Sequence, residues 1–189
     1  MSVALGLVVL VTAGIAGRNW VREEWWICKL QAGDEKEQFR AMQRLGELRS
    51  MRSIRALLEA FEKNGRENRI SVLPGDEKGM IYRLKGSFDW HQPEDQMQLF
   101  LASVDSLVKI ALERKQNCHP LLIEALRSSS PVVRALACNL LVLSGASPEV
   151  SPALRNLLED RDAAVDQAAA EALKAIEERR IGPAAPPGE

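Results

Sequence analysis

The sequence is poor in the residues that most often carry chemistry. It has two histidines, three cysteines and one tyrosine in 189 residues, and 5% of its residues are aromatic. The cysteines are odd in number and widely spaced, which argues against a disulfide framework and against a zinc site. The sequence has no glycine-rich phosphate loop, nucleophile elbow or Cys-x-x-Cys motif. We therefore expect no catalysis, no cofactor and no bound metal.

The chain also lacks an excess of charge of either sign. Its formal net charge is −1, whereas a general nucleic-acid binder needs clustered positive charge to neutralise phosphates. Nucleic acid is therefore not expected as a partner. Hydrophobic residues make up 46% of the sequence, enough for one domain with a buried core.

A repeated helical pattern organises residues 128–176. Pro131 is suited to the first turn of a helix and Gly145 to its end, and a second and a third amphipathic helix follow. The first and third helices match at a fixed offset of 32 residues, which is typical of stacked helical units. The matching pairs are Val133 with Val165, Ala137 with Ala169, and Leu141 with Leu173.

These residues resemble the HEAT-like helical repeat family, including the short repeats of the phycobilin-lyase type. The resemblance lies in Val133, Arg134, Ala137, Leu141, Leu154, Leu157, Leu158 and Asp160. Asp166 and Gln38 depart from it, because the family usually has arginine there; this puts the family's polar ladder in doubt but not its packing. The resemblance implies an α-solenoid whose second helices line a concave binding face.

The predicted fold class is all-α, an α-solenoid of about three and a half helical hairpins. A first repeat spans residues 27–65, further repeats span 96–180, and a disordered tail covers 181–189. Residues 66–95 break the helical pattern and contain turn residues between two short β-prone runs. They predict an inserted β-hairpin with strands at 70–73 and 80–84, followed by a loop.

The N-terminus predicts a membrane anchor. Residues 2–21 contain Arg18 as their single charged residue and are long enough to cross a bilayer as a helix. Trp20, Trp25 and Trp26 are placed as interfacial residues, so residues 1–26 form the anchor and its boundary. The following positive charges predict a single-pass membrane protein with cytoplasmic repeats. A cleaved signal with export of the repeats, and a buried apolar helix, are the alternatives.

Two similar stretches predict a binding surface. Residues 54–59 parallel residues 154–159 in their apolar residues and in an Arg–Glu pair four residues apart. The candidate partner-binding residues are Arg52, Arg55, Glu59, Trp90, Arg155 and Glu159. For the charged residues the alternatives are ordinary solvated side chains or, for the arginines from Arg40 to Arg55, contact with anionic lipid. Trp90 either anchors a partner or covers the core, and His119 is expected in a neutral capping or surface role at a helix start.

We therefore expect a membrane-tethered HEAT-like scaffold that binds another protein and has no catalysis of its own. The alternative is an accessory or lyase-like protein that holds a small molecule in the concave groove. A sizeable apolar pocket with convergent polar groups favours the second hypothesis, and a shallow polar groove favours the first.

Overall fold

The computed structural model describes residues 20–65, 69–74, 82–87, 94–145 and 147–181. Helices dominate this part of the chain. Their bounds, with those of the two strands, are α1 at 20–32, α2 at Glu35–Leu48, α3 at Ile54–Gly65, β1 at Arg69–Pro74, β2 at Tyr82–Ser87, α4 at Glu94–Arg114, α5 at His119–Ala125, α6 at Pro131–Ser144, α7 at Val150–Arg155 and α8 at Ala163–Ile181. Short 3₁₀ helices at Met51–Ser53 and Lys115–Cys118 precede α3 and α5.

The helices stack in two layers. In the first layer α2, α4, α6 and α8 lie side by side in chain order. In the second layer α3 packs against α4, α5 against α6, and α7 against α8. Each second helix therefore fills the space beside the first helix of the next pair.

The α2–α4 contact shows how the sequence sets this packing. Asp34 begins α2, because its side chain accepts a hydrogen bond from the Glu37 amide at 2.8 Å. Gly46 lies on the buried face of α2, where an added Cβ would come within 2.8 Å of Ser106 Oγ on α4. The Ser106 hydroxyl donates to the Met42 carbonyl at 2.8 Å. Two small residues therefore let the two backbones approach closely.

Helix α6 lies at the centre of the described molecule. Every residue from Ala135 to Ser144 is buried. It is surrounded by α3, α4, α5, α8 and β1. This explains why residues 135–144 are mostly apolar, since an apolar helix is stable when other elements cover it on all sides.

Arginines near the ends of two later helices stabilise the ends of earlier ones. Arg114 Nε donates to the Arg49 carbonyl at 2.7 Å, at the C-terminus of α2. Arg179 Nη1 donates to the Val142 carbonyl at 2.7 Å, in the last turn of α6. A cation at a helix C-terminus interacts favourably with the carbonyls that have no partner inside the helix.

The predicted fold class is wrong in part. Strands β1 and β2 pair antiparallel, with Arg69 opposite Ser87 and Pro74 opposite Tyr82, which differs from the predicted strands at 70–73 and 80–84. The second strand includes Gly86 and Ser87, which were predicted as loop, and residues 80–81 lie outside the described residues. Strand β1 lies against α6.

The predicted membrane helix and single-pass localisation also need correction. Among the described residues, no helix combines the length and the apolar character needed to cross a membrane. Helix α1 carries Arg22, Glu23, Glu24 and Lys29 on its surface, while its Leu30 is buried in the core with 4% exposure. Residues 2–19, on which most of the anchor prediction rested, lie outside the described residues.

Candidate interaction surface

The structure places the predicted partner-binding residues on three different elements. Arg52 lies on the 3₁₀ helix before α3, Arg55 and Glu59 lie on α3, and Arg155 is the last residue of α7. All four are exposed. The other two candidates stand apart: Glu159 lies in the turn after α7, and Trp90 lies outside the described residues.

Arg55 joins the second helices of the first and second pairs. Its Nη2 atom donates to both carboxylate oxygens of Glu124, on α5, at 2.7 Å each. These hydrogen bonds and the charge of Glu124 raise the pKa of the Arg55 guanidinium, and the charge of Glu59 raises it further. The two side chains remain 68% and 56% exposed. The pair therefore lies on the surface in water, where it contributes little to stability.

Arg52 makes a different contact and faces α1. Its Nη2 atom donates to Glu24 Oε2 at 3.0 Å. The guanidinium also lies over the ring of Trp20, with 5.1 Å between its Cζ atom and the ring centroid. Arg52 thus connects the first pair of helices to α1, whose Trp20 and Trp25 rings are 53% and 51% exposed.

Residues 154–159 do not repeat the helical geometry of residues 54–59. Helix α7 ends at Arg155, and Glu159 has a positive φ of 79°. The Glu159 amide donates to Asp166 Oδ1 on α8 at 3.2 Å. Arg155 and Glu159 therefore do not form the exposed helical pair that Arg55 and Glu59 form, and Leu158 is 38% exposed.

We use the name second-helix face for the exposed charged side chains Arg55, Glu59, Glu124 and Arg155 on α3, α5 and α7. Glu124 was missed from the sequence, because its pairing with Arg55 spans 69 residues and no local pattern indicates it. Of the five arginines considered for lipid contact, Arg44, Arg49, Arg52 and Arg55 each pair with a carboxylate.

A partly buried ion pair lies inside the third helical pair. Arg134 donates from Nε to Asp160 Oδ2 at 3.0 Å and from Nη2 to Asp160 Oδ1 at 2.7 Å. Arg134 Nη1 also donates to the Ser128 and Ser129 carbonyls, which precede α6. The hydrogen bonds from Arg134 lower the pKa of Asp160. The two side chains are 14% and 11% exposed, so this pair fixes the connection between α7 and α8 to the start of α6.

Gln38 in α2 and Asp166 in α8 stand at the positions equivalent to Arg134 in α6, and each makes a different polar contact. Gln38, at the same place in α2, donates from Nε2 to the Gly33 carbonyl at 2.8 Å. It thus binds the chain before its helix as Arg134 does, without a carboxylate partner. Asp166, at the same place in α8, instead accepts a hydrogen bond from a backbone amide. The departures from the family pattern therefore change the polar contacts and leave the packing in place.

His119 is buried, although a capping or surface position was expected. Its side chain is 0% exposed at the start of α5. Nδ1 lies 2.9 Å from Ser147 Oγ, and Nε2 lies 2.9 Å from Ser144 Oγ at the end of α6. Burial lowers the pKa of the imidazole, so the ring is neutral at pH 7. The sequence carried no local sign of this, because both serines come from a later helical pair.

A cleft lies between the first turns of α2 and α4. It is open, has a volume of about 230 Å³, and is lined by Glu35, Lys36, Phe39, Arg40, Asp95, Gln98 and Leu99. Ligand pockets are typically about 300–1,000 Å³ and mostly apolar. This cleft is smaller and has four charged side chains, so it lacks the character of a typical ligand pocket. The part of the chain that the structure describes contains no group of three His, Cys, Asp or Glu side chains able to hold a metal.

Comparison with known families gives a match in the C-terminal part of the chain. Residues 119–187 match the family model of HEAT repeats, which confirms the predicted resemblance. The matched region includes α5, α6, α7 and α8 and thus the Arg134–Asp160 pair. HEAT repeats generally serve as protein-interaction scaffolds and are typically not catalytic. A search of curated proteins gave no significant match.

Proposed function

We propose that this protein, whose residues 119–187 match the family model of HEAT repeats, is a helical-repeat scaffold that binds another protein through its second-helix face. The observation that carries the proposal is the row of exposed charged side chains on α3, α5 and α7, Arg55, Glu124 and Arg155. None of them is needed to fill the core, and α5 and α7 are adjacent. Three successive second helices thus present one surface to a partner.

The chemistry of this surface favours a polar partner segment of mixed charge. Arg55 and Glu124 already pair with each other in water, at a modest gain in free energy. A partner that offers a carboxylate to Arg55 and a cation to Glu124 replaces that pair with two others. Such exchanges set the partner's orientation and rate of association more than its affinity.

A charge-reversal experiment tests the proposal. The double variant Arg55→Glu and Arg155→Glu changes the second-helix face, and Arg44→Glu on α2 is the matched control. Arg44 is exposed and paired with Glu47 in the same manner, but it lies in the other layer. A partner captured with the full-length chain is then purified, and its Kd is measured for all three proteins. We expect the double variant to bind at least about tenfold more weakly, while the control binds normally. Equal losses, or no loss, would place the interaction elsewhere.

A further inference from the structure

Helix α1 carries an exposed apolar face that the rest of the described molecule leaves uncovered. Five large apolar side chains are exposed among the described residues, and three of them, Trp20, Val21 and Trp25, lie on α1. Single exposed apolar residues are ordinary on a protein surface, but a group of them on one helix marks an interaction site. Cys28 and Ala32 are also exposed and continue the side of the helix that begins with Val21 and Trp25.

The spacing of these residues is that of a helix–helix interface. We use the name α1 seam for Val21, Trp25, Cys28 and Ala32, whose separations of four, three and four positions place them on one line along α1. A line of apolar residues with this spacing is buried most completely by a second helix with the same spacing. Leu30 is 4% exposed on the opposite side of α1 and belongs to the core. The helix is therefore already held in place and does not depend on pairing in order to form.

The two edges of the α1 seam carry opposite charges. Glu24 lies on one edge, and Arg22 and Lys29 lie on the other. In a parallel two-fold pair of helices, each edge lies beside the opposite edge of the second helix. Glu24 of one copy then comes beside Lys29 of the other copy, five positions further along the chain. In an antiparallel pair, like edges meet, and the cations of the two copies face one another.

The existing contacts of these charged residues leave them able to make such pairs. Glu24 accepts a hydrogen bond from Arg52 at 3.0 Å, and Lys29 donates to Glu37 at 2.6 Å. The side chains of Glu24 and Lys29 remain 44% and 34% exposed. Because exposed ion pairs contribute little to stability, a second copy can share or replace them at small cost.

We propose that α1 pairs in parallel with α1 of a second copy of this chain through the α1 seam. Because Leu30 and the core lie on the opposite side of the helix, the bodies of the two copies are on the outer sides of the pair. The opposite charges of the two edges favour a second copy over a lipid surface, which would meet the acidic and the basic edge at once. The pairing uses α1 and does not depend on the proposed binding role of the second-helix face.

Disulfide cross-linking of the full-length chain tests the pairing, because Cys28 is exposed and the other two cysteines are buried. In a parallel pair the Cys28 residues of the two copies lie at the same level, near enough for a disulfide bond. We expect oxidation with copper phenanthroline to link them, and Val21→Cys in a Cys28→Ser background to link equally well. The matched control is Gln31→Cys in that background, which is exposed but off the seam and should link at least about tenfold more slowly. Failure of the Val21→Cys variant to link would overturn the parallel arrangement.

Two tryptophan variants separate the seam from unspecific apolar contact. Trp25 and Trp20 are 51% and 53% exposed on the same helix, but Trp20 lies off the seam, where its ring contacts the Arg52 guanidinium. We expect Trp25→Ala to slow the cross-linking of Cys28 about tenfold and Trp20→Ala to slow it less than about twofold, with circular dichroism confirming that both variants fold. Equal effects would show unspecific contact, for example with lipid, and an unaltered chain that does not cross-link would show that something else covers the seam. Either result overturns the pairing.

Discussion

The two halves of the stack solve the same packing problem by different means. In the first half, α2 and α4 approach closely through Gly46 and Ser106, and Gln38 makes a single polar contact with the preceding chain. In the second half, Arg134 and Asp160 form a partly buried ion pair that fixes a turn to the start of α6. The apolar face of each helix therefore determines the stacking. The polar contacts differ between the two halves and fix the chain segments that connect the helices.

The largest expected effect is the loss of the ion pair in the second half. Arg134→Ala leaves the Asp160 carboxylate partly buried and without its partner, so we expect a loss of about 3 kcal/mol in the free energy of unfolding. Denaturant unfolding followed by circular dichroism measures it. The matched control is Arg44→Ala, which removes an exposed pair and changes stability by less than about 0.5 kcal/mol. Similar losses in the two variants would show that burial of the pair is unimportant.

Acid weakens the same half of the molecule. The pKa of Asp160 is lowered in the folded protein by the hydrogen bonds from Arg134. Its contribution to stability is therefore complete above the unfolded pKa of about 3.9 and is lost as the pH falls through the lower folded value. We expect the melting temperature of the protein to fall in this range, and Asp160→Asn to fall less steeply. A slope unchanged by Asp160→Asn would assign the acid sensitivity to other carboxylates.

In the first half, the close contact of α2 with α4 is the sensitive point. Gly46→Ala places a Cβ against Ser106, so the cost of overpacking outweighs the gain in helix propensity. We expect a net loss of about 1–2 kcal/mol by chemical denaturation. The double variant with Ser106→Gly makes room for the Cβ and should recover part of it relative to Ser106→Gly alone. Gln43→Ala, on the exposed face of α2, is the neutral control.

The smallest expected effect is one that both halves share. Arg114→Gln and Arg179→Gln each weaken a contact with the C-terminal carbonyls of the neighbouring first-layer helix. Because both arginines are near the surface, we expect losses of about 0.5–1 kcal/mol each. The two losses should be additive, since they lie in separate halves. Thermal unfolding of both single variants and the double variant tests this, and strong coupling would contradict it.

The sequence predicted the helices well and the contacts between distant residues poorly. Helical spacing, with Pro131 in the first turn and Gly145 after the last, predicted α6 as observed, because these signals are local. Arg55 pairs with Glu124, which is 69 residues away in another helical pair. The ring of His119 is buried against Ser144 and Ser147, which are 25 and 28 residues away. Such contacts arise only after the stack has formed.

The likeness of residues 54–59 to 154–159 shows a second limit. The same apolar residues and the same Arg–Glu spacing give a continuous helix in α3 and a helix end followed by a turn after α7. Tertiary contacts explain the difference, since Asp160 is held by Arg134 and the Glu159 amide by Asp166. A local pattern therefore predicted where charge lies on the surface but not the backbone that presents it.

The complete enclosure of α6 has a consequence for synthesis. In a simple repeat array each unit contacts its neighbours alone, and folding can start anywhere and spread. Here α6 also contacts α3 and β1 from an earlier part of the chain and α8 from near its end. The central helix gains its full set of contacts only when α8 has left the ribosome. We expect the nascent chain to remain open until then, and a chain truncated before Ala163 to expose an apolar surface that recruits chaperones.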